Sequence, residues 1–234
     1  MSVGASTLCP CSSYPTRTKG PARQSVAPGV PRYSHPVDAR RDHGTPQLFD
    51  AAAQAMLTMP WRPELKVDQI PAPQKIAPFA VAISAEITSN GEDLGTGRLV
   101  LLHDPDGSPS WDGDFRCVSF SRADVDPEMV TDPLLSEVGW SWLLEALERN
   151  QAAYRAPSGT VTAVSSKSFG GIAEDPARAE VEVRASWTPI INSVEDVNAH
   201  LVAWSELLCL AAGLPPLPEG VVPITPRRPG AWPR

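Results

Sequence analysis

No stretch of the chain approaches the ~18 consecutive apolar residues that a membrane-crossing helix needs, which argues against an integral membrane protein. Its first thirty residues hold Arg17, Lys19 and Arg23 but no apolar core segment, so a secretory signal is not expected. Cysteine is scarce: Cys9, Cys11, Cys117 and Cys209 are the four, and no C-x-x-C pair supplies the usual zinc spacing. Cys117 falls in a strand pattern and Cys209 in a helix pattern, where a thiol packs as a small hydrophobe, and a reducing compartment fits. Glycine patterns for phosphate loops and dinucleotide folds are missing; Phe169-Gly170-Gly171 reads as a plain turn. Proline is in excess instead, 26 of 234 residues, about twice the usual share, so its placement carries information.

Cationic charge is short where the core lies. Residues 47–220 carry eleven Lys/Arg against twenty-five Asp/Glu, a net of −14, whereas residues 1–46 are net +4 and residues 221–234 net +3. A body this acidic repels phosphate backbones, so the folded domain is not expected to bind nucleic acid. Segment 1–45 holds six prolines among Ser, Thr, Gly and Arg with no apolar period, and reads as a disordered tail. Residues 215–234 are a second proline-rich extension. Between them, 46–214 is large enough for one domain with its own core.

Within that domain, hydrophobic spacing gives the elements. Thr45-Pro46 opens a helix whose Leu48, Phe49, Ala52, Ala55, Met56 and Met59 recur at helical spacing, and Pro60 stops it. Alternation predicts strands at Phe79–Ile87, Thr96–His103 and Phe115–Arg122, with turns at Asn90-Gly91 and at Asp104-Pro105-Asp106-Gly107. A helix follows from about Pro133 to Asn150, then strands at Thr160–Ser166 and Ala179–Thr188. Ser193 and Asp196 form a capping-box variant before Val194, Val197, Leu201, Trp204, Leu208 and Ala211, and Gly213 ends that helix. Short connections make neighbouring strands antiparallel. The expectation is an α+β domain with a five-stranded antiparallel sheet, in the order α-β-β-β-α-β-β-α. Leu65 and Val67, alternating with Lys66 and Asp68, leave room for one extra short edge strand.

Several blocks carry a resemblance. Ile70-Pro71-Ala72-Pro73-Gln74, Gly97-Arg98-Leu99-Val100-Leu101-Leu102-His103-Asp104-Pro105, Glu137-Val138-Gly139-Trp140-Ser141-Trp142-Leu143 and Ala211-Ala212-Gly213-Leu214-Pro215 resemble the actinobacterial domain-of-unknown-function family 3000. The likeness covers roughly residues 46–225, and the Gly139–Leu143 block is its most specific part. It implies an actinobacterial cytoplasmic protein and carries over no catalytic or ligand residue. The element order is also similar to that of type III secretion chaperones, small acidic dimers that bind partner chains; this is likeness of fold alone.

Candidate chemistry is thin. Asp104, Asp106, Asp112 and Asp114 crowd one loop as a hard-cation site would, yet their spacing misses the EF-hand pattern and acidic turn residues explain them equally. Gly139-Trp140-Ser141-Trp142 opens like a nucleophile elbow but lacks the closing glycine and the preceding strand. His103 and His200 could form an acid–base pair, although no motif supplies a third group. Glu180, Glu182 and Arg184 read as a solvated strand face. No catalytic, cofactor or metal residue is therefore assigned, and no cofactor is expected.

The tryptophans are more informative. Trp140 and Trp142 point about 200° apart on one helix, and apolar residues circle most of it. A single sheet covers one side only. Trp140, Leu144 and Leu147 are accordingly the candidate association surface. The reading that follows is a cytoplasmic, non-enzymatic protein-binding or chaperone-like domain, homodimeric or bound to a protein partner. The alternative is an enzyme or regulator of small-molecule metabolism whose site lacks a motif. Leu201 is the midpoint of the last helix's stripe, so Leu201→Ala is expected to cost ~2–5 kcal/mol in urea unfolding. A loss below ~0.5 kcal/mol would put that stripe on the surface.

Overall fold

The computed structural model describes residues 45–216. Segments 1–44 and 217–234, which include nearly all of both expected proline-rich tails, lie outside the described residues. The elements run α1 (Thr45–Thr58), β1 (Leu65–Ile70), β2 (Phe79–Ser89), β3 (Glu92–Ser108), β4 (Gly113–Asp124), α2 (Leu135–Arg149), β5 (Tyr154–Ser166), β6 (Arg178–Pro189) and α3 (Val194–Ala211). All six strands join one sheet in the order β1-β2-β3-β4-β6-β5, every pair antiparallel.

This corrects the expected five-stranded sheet and its order, which becomes α-β-β-β-β-α-β-β-α. The sixth strand is Leu65–Ile70. It pairs along its whole length with β2, from Leu65 opposite Ile87 to Ile70 opposite Ala82. Pro63 and Pro71 stand just outside it, where neither removes a ladder donor.

Two further boundaries move for local reasons. The turn placed at Asp104–Gly107 is an irregularity inside the β3–β4 hairpin, whose register shifts between His103 and Ser108. Gly107 takes a left-handed φ of +72° there, and Asp104 Oδ1 accepts the Asp106 N–H at 3.2 Å. The chain reverses only beyond Ser108, which lies opposite Gly113. Strand β5 starts six residues earlier than alternation suggests, because Ala156-Pro157 forms a bulge against β6 rather than a turn.

One sheet face carries the core. Val81, Leu101, Cys117 and Trp187 form a row across β2, β3, β4 and β6, and Ile83, Leu99, Ser119 and Ala185 form the next. Helix α3 lies over the middle of it. Ser193 and Asp196 close the capping box at its start, and Val197, Leu201, Trp204 and Leu208 are buried beneath it. Gly97 makes room for the approach: a Cβ there would stand 2.5 Å from Leu208 and 3.1 Å from the Trp204 ring. The Trp204 indole N–H donates to Ser119 Oγ at 3.1 Å, so the buried indole keeps its hydrogen bond. Helix α1 flanks α3 on one side and sets Phe49 against His103, centroids 5.9 Å apart.

Helix α2 flanks α3 on the other side and rests on β5. Its apolar girth is therefore covered twice. Arg149 Nη1 and Asn150 Nδ2 reach Glu206 on α3, while Gly139 faces Val161 and Trp140 lies over Gly159 on β5. A Cβ on Gly159 would run into the Arg184 carbonyl and sit 2.6 Å from the Trp140 ring. Gly159→Ala should thus cost ~1–3 kcal/mol in urea unfolding through overpacking. Gly171→Ala, where nothing lies within 4 Å, should change stability by less than ~0.5 kcal/mol. Equal losses at both positions would contradict the α2–β5 contact.

Candidate functional site

The three helices share one face of the sheet, and no described helix covers the other. Side chains of opposite parity along the strands form its rows. One row runs Ala82, Val100, Val118, Ser186, Ser158 from β2 to β5; the next runs Ser84, Arg98, Phe120, Arg184, Thr160. The following row, Glu86, Thr96, Arg122, Glu182, Thr162, turns acidic, and Asp124 opposite Glu180 continues it. The face is thus apolar and cationic toward one end and anionic toward the other.

Two shallow depressions adjoin at its centre. One, of about 380 Å³, is lined by Arg98, Val100, Val118, Phe120 and Arg184. The second, of about 400 Å³, extends over Val118, Ser158, Thr160, Arg184 and Ser186. Val118 is 39% exposed, large for a valine in a central strand. The Arg184 guanidinium lies 5.5 Å above the Phe120 ring and pairs with Glu182 at 3.0 Å. Arg98, on the other side of Phe120, is exposed and makes no ion pair among the described residues.

Arg116 borders this region but has a different task. It is buried, and every partner it has is neutral: Nη1 donates to the Ala156 carbonyl (2.9 Å) and Thr188 Oγ1 (3.0 Å), Nη2 to Ser186 Oγ (2.7 Å) and Ser158 Oγ (3.1 Å). Burial pulls this guanidinium below its ordinary pKa. One side chain of β4 thereby reaches across β6 and fastens the β5 bulge, where Ala156 holds a left-handed φ of +44°.

The residues singled out from sequence are dispersed. Leu147 is fully buried in the core, whereas Trp140, whose ring lies over Gly159 of β5, and Leu144, one turn on, are half-buried. Ser141 Oγ donates to the Val138 carbonyl at 3.0 Å, within its own helix. Asp104 closes a local turn, and among the described residues no group of three or more His, Cys, Asp or Glu is placed to hold a metal. Cys117 and Cys209 are buried free thiols; burial pushes both up, Cys209 to about 11, so neither is a thiolate at neutral pH. Arg122 pairs with Glu180 on the uncovered face. What sequence missed is the row Arg98–Phe120–Arg184. Its parity was legible strand by strand, but only the β4–β6 pairing brings Phe120 beside Arg184.

Among protein families, one model matches residues 45–222 and so spans every element of the fold: its description is "Protein of unknown function (DUF3000)". The chain belongs to this family. No curated protein and no solved structure matches it. No helix among the described residues is long and apolar enough to cross a membrane.

His103 and His200 of this DUF3000 member sit in separate surroundings. His103 Nδ1–H donates to the Asp114 carbonyl at 3.1 Å, and the ring stacks on Phe115 (4.2 Å) and Phe49. His200 on α3 accepts the Trp187 indole N–H at Nδ1, 3.2 Å, which leaves its proton on Nε2. Burial pushes His200 down to about 4, against the opposite pull of the Ala153 backbone and Asp196. Its neutral form belongs to the folded state, so the unfolded chain binds the extra proton between pH 6.5 and about 4. Stability supplied by neutral His200 is complete above pH 6.5 and is lost as pH falls through that window. Wild type should lose roughly 2–3 kcal/mol more than His200→Gln between pH 7 and pH 4.5 in urea titrations. Parallel losses would mean that His200 is not the buried group that titrates.

Proposed function

We propose that this protein is a non-enzymatic, chaperone-like binding domain, and that the uncovered sheet face receives an acidic segment of a partner protein bearing apolar side chains. One observation carries the reading. The face sets exposed Val118 and half-buried Phe120 between Arg98 and Arg184, on a domain whose residues 47–220 are net −14. Arg98, which makes no ion pair among the described residues, and Arg184 together draw carboxylates to this apolar strip. The glutamates and aspartate at the far end of the face turn such a segment back, which gives it a direction. Nucleic acid fits poorly, since the body repels phosphate. Two buried, protonated thiols suit a cytoplasmic setting.

A pair of synthetic peptides tests this. A twelve-residue peptide alternating Leu or Phe with Glu is compared with the same peptide carrying Lys for Glu. The acidic peptide should shift amide resonances of β3, β4 and β6 around Val100, Val118 and Phe120, and the basic one should not. Reversing both arginines, Arg98→Glu with Arg184→Glu, should weaken binding about tenfold, since each exposed charge contact is worth ~0.2–1 kcal/mol and reversal adds repulsion. Equal binding of both peptides, or shifts confined to the helices, would overturn the proposal.

A further inference from the structure

We infer that β5 is the contact strand of a homodimer, pairing antiparallel with β5 of a second copy about a two-fold axis at Thr162 and joining two six-stranded sheets into one. This goes beyond the peptide-binding reading and does not rest on it. The two edges of the sheet are unlike. The β1 edge is six residues long, carries Lys66 and Asp68 and is bounded by Pro63 and Pro71, the devices that keep an edge from pairing. The β5 edge is thirteen residues long and bears no charge between Arg155 and Lys167. Its regular part, Ser158–Ser166, pairs among the described residues with β6 alone, and most of its side chains are exposed.

A second copy is the occupant because this strand is complementary to itself. With the axis at Thr162, Thr160 faces Val164 of the second copy and Val161 faces its Ala163. These are favourable β-branched and small pairs with no like charges opposed. Thr162 is the centre of Ser158–Ser166, so this axis pairs all nine residues, whereas an axis one residue to either side pairs seven, and the earlier one also sets Arg155 against Lys167. A ladder of nine residues a side is about 30 Å long. Alone it falls short of the ~1,200 Å² at which stable interfaces begin. Half-buried Trp140, whose ring lies over Gly159 of β5, and half-buried Leu144 one turn further along α2 add apolar area beside the ladder. A dimer of micromolar strength follows.

The full chain is tested by sedimentation equilibrium from 1 to 200 µM and by oxidative cross-linking. Wild type should be a reversible dimer. Thr162→Lys brings two ammonium groups together at the axis, yet in the monomer it meets Glu182 on β6, so it should fold normally and weaken the dimer at least tenfold. Thr162→Cys should form a disulfide-linked dimer faster than wild type, whose own four cysteines are the control, because self-paired strand positions lie within disulfide reach. Thr160→Cys, which meets Val164 and not itself, should not. Wild type monomeric at 200 µM, a dimer unaffected by Thr162→Lys, or no added cross-linking at Thr162→Cys would each overturn the inference. Binding of the acidic peptide to monomeric Thr162→Lys reads the sheet face separately, so the two proposals fail independently.

Discussion

Seating α3 on the middle of the sheet is the contact from which the other arrangements follow. The seat exists because β3 offers Gly97, flanked across the strands by the small Ala85 and Ser121, and Leu208 and the Trp204 ring occupy the space. Burying an indole of ~200 Å² contributes on the order of 5 kcal/mol, provided its N–H keeps a partner, and Ser119 Oγ is that partner. With the centre taken, α1 and α2 have only the flanks. Helix α1 brings Phe49 to the His103–Phe115 stack, and α2 is held between α3 and β5. Three helices side by side use up one face of a six-stranded sheet, so the uncovered face is a consequence of the count.

That face needs its own support, since no helix among the described residues holds its strands in place. Arg116 provides part of it, tying β4 to β6 and β5 through neutral oxygens. An arginine paired with a carboxylate here would bury two charges and gain little. Four neutral acceptors instead satisfy the guanidinium and add no buried anion beside it. The same tie secures the Ala156 bulge, after which β5 runs straight as an edge from Ser158 onward.

Sequence pattern revealed the elements whose burial is one-sided and uninterrupted. Strand β6 alternates without fault from Ala179 to Trp187, and α3 keeps 3-4 spacing behind a capping box, so both were legible. Strand β1 was not counted, because six residues with Lys66 and Asp68 between prolines look as much like a linker as an edge. The Asp104–Gly107 run has the composition of a reversal but lies within a hairpin that reverses later. The first half of β5 was hidden behind Ala156-Pro157, whose left-handed backbone depends on Arg116, forty residues away in sequence. Local rules do not encode such a contact. Likewise the cover that α3 gives one side of α2 involves residues more than fifty positions on, such as Glu206, which no local pattern in α2 reveals. The uncovered face shares this limit: Arg98, Phe120 and Arg184 come from three strands, and their meeting depends on the order β3-β4-β6.

The face and the edge are geometrically compatible, which has a consequence for what the molecule can hold. Pairing along β5 uses backbone groups in the plane of the sheet and Trp140 and Leu144 of α2, and it leaves the opposite face open. From β4 to its symmetry mate such a sheet would cross five strand intervals of ~4.8 Å, about 24 Å. Phe120 is level with Thr160 and its mate with Val164, a stagger of ~13 Å, so the strips lie about 27 Å apart and an extended chain spans them in about eight or nine residues at ~3.3 Å each. One partner segment with two acidic, apolar stretches that far apart could therefore engage both Phe120 strips at once. Its second contact would be intramolecular, with an effective concentration near the millimolar range. Weak individual sites, each resting on exposed arginines worth tenths of a kcal/mol, would then suffice for selective capture. The acidic ends of the two faces, related by the same two-fold axis, would reject a segment laid across in any other direction.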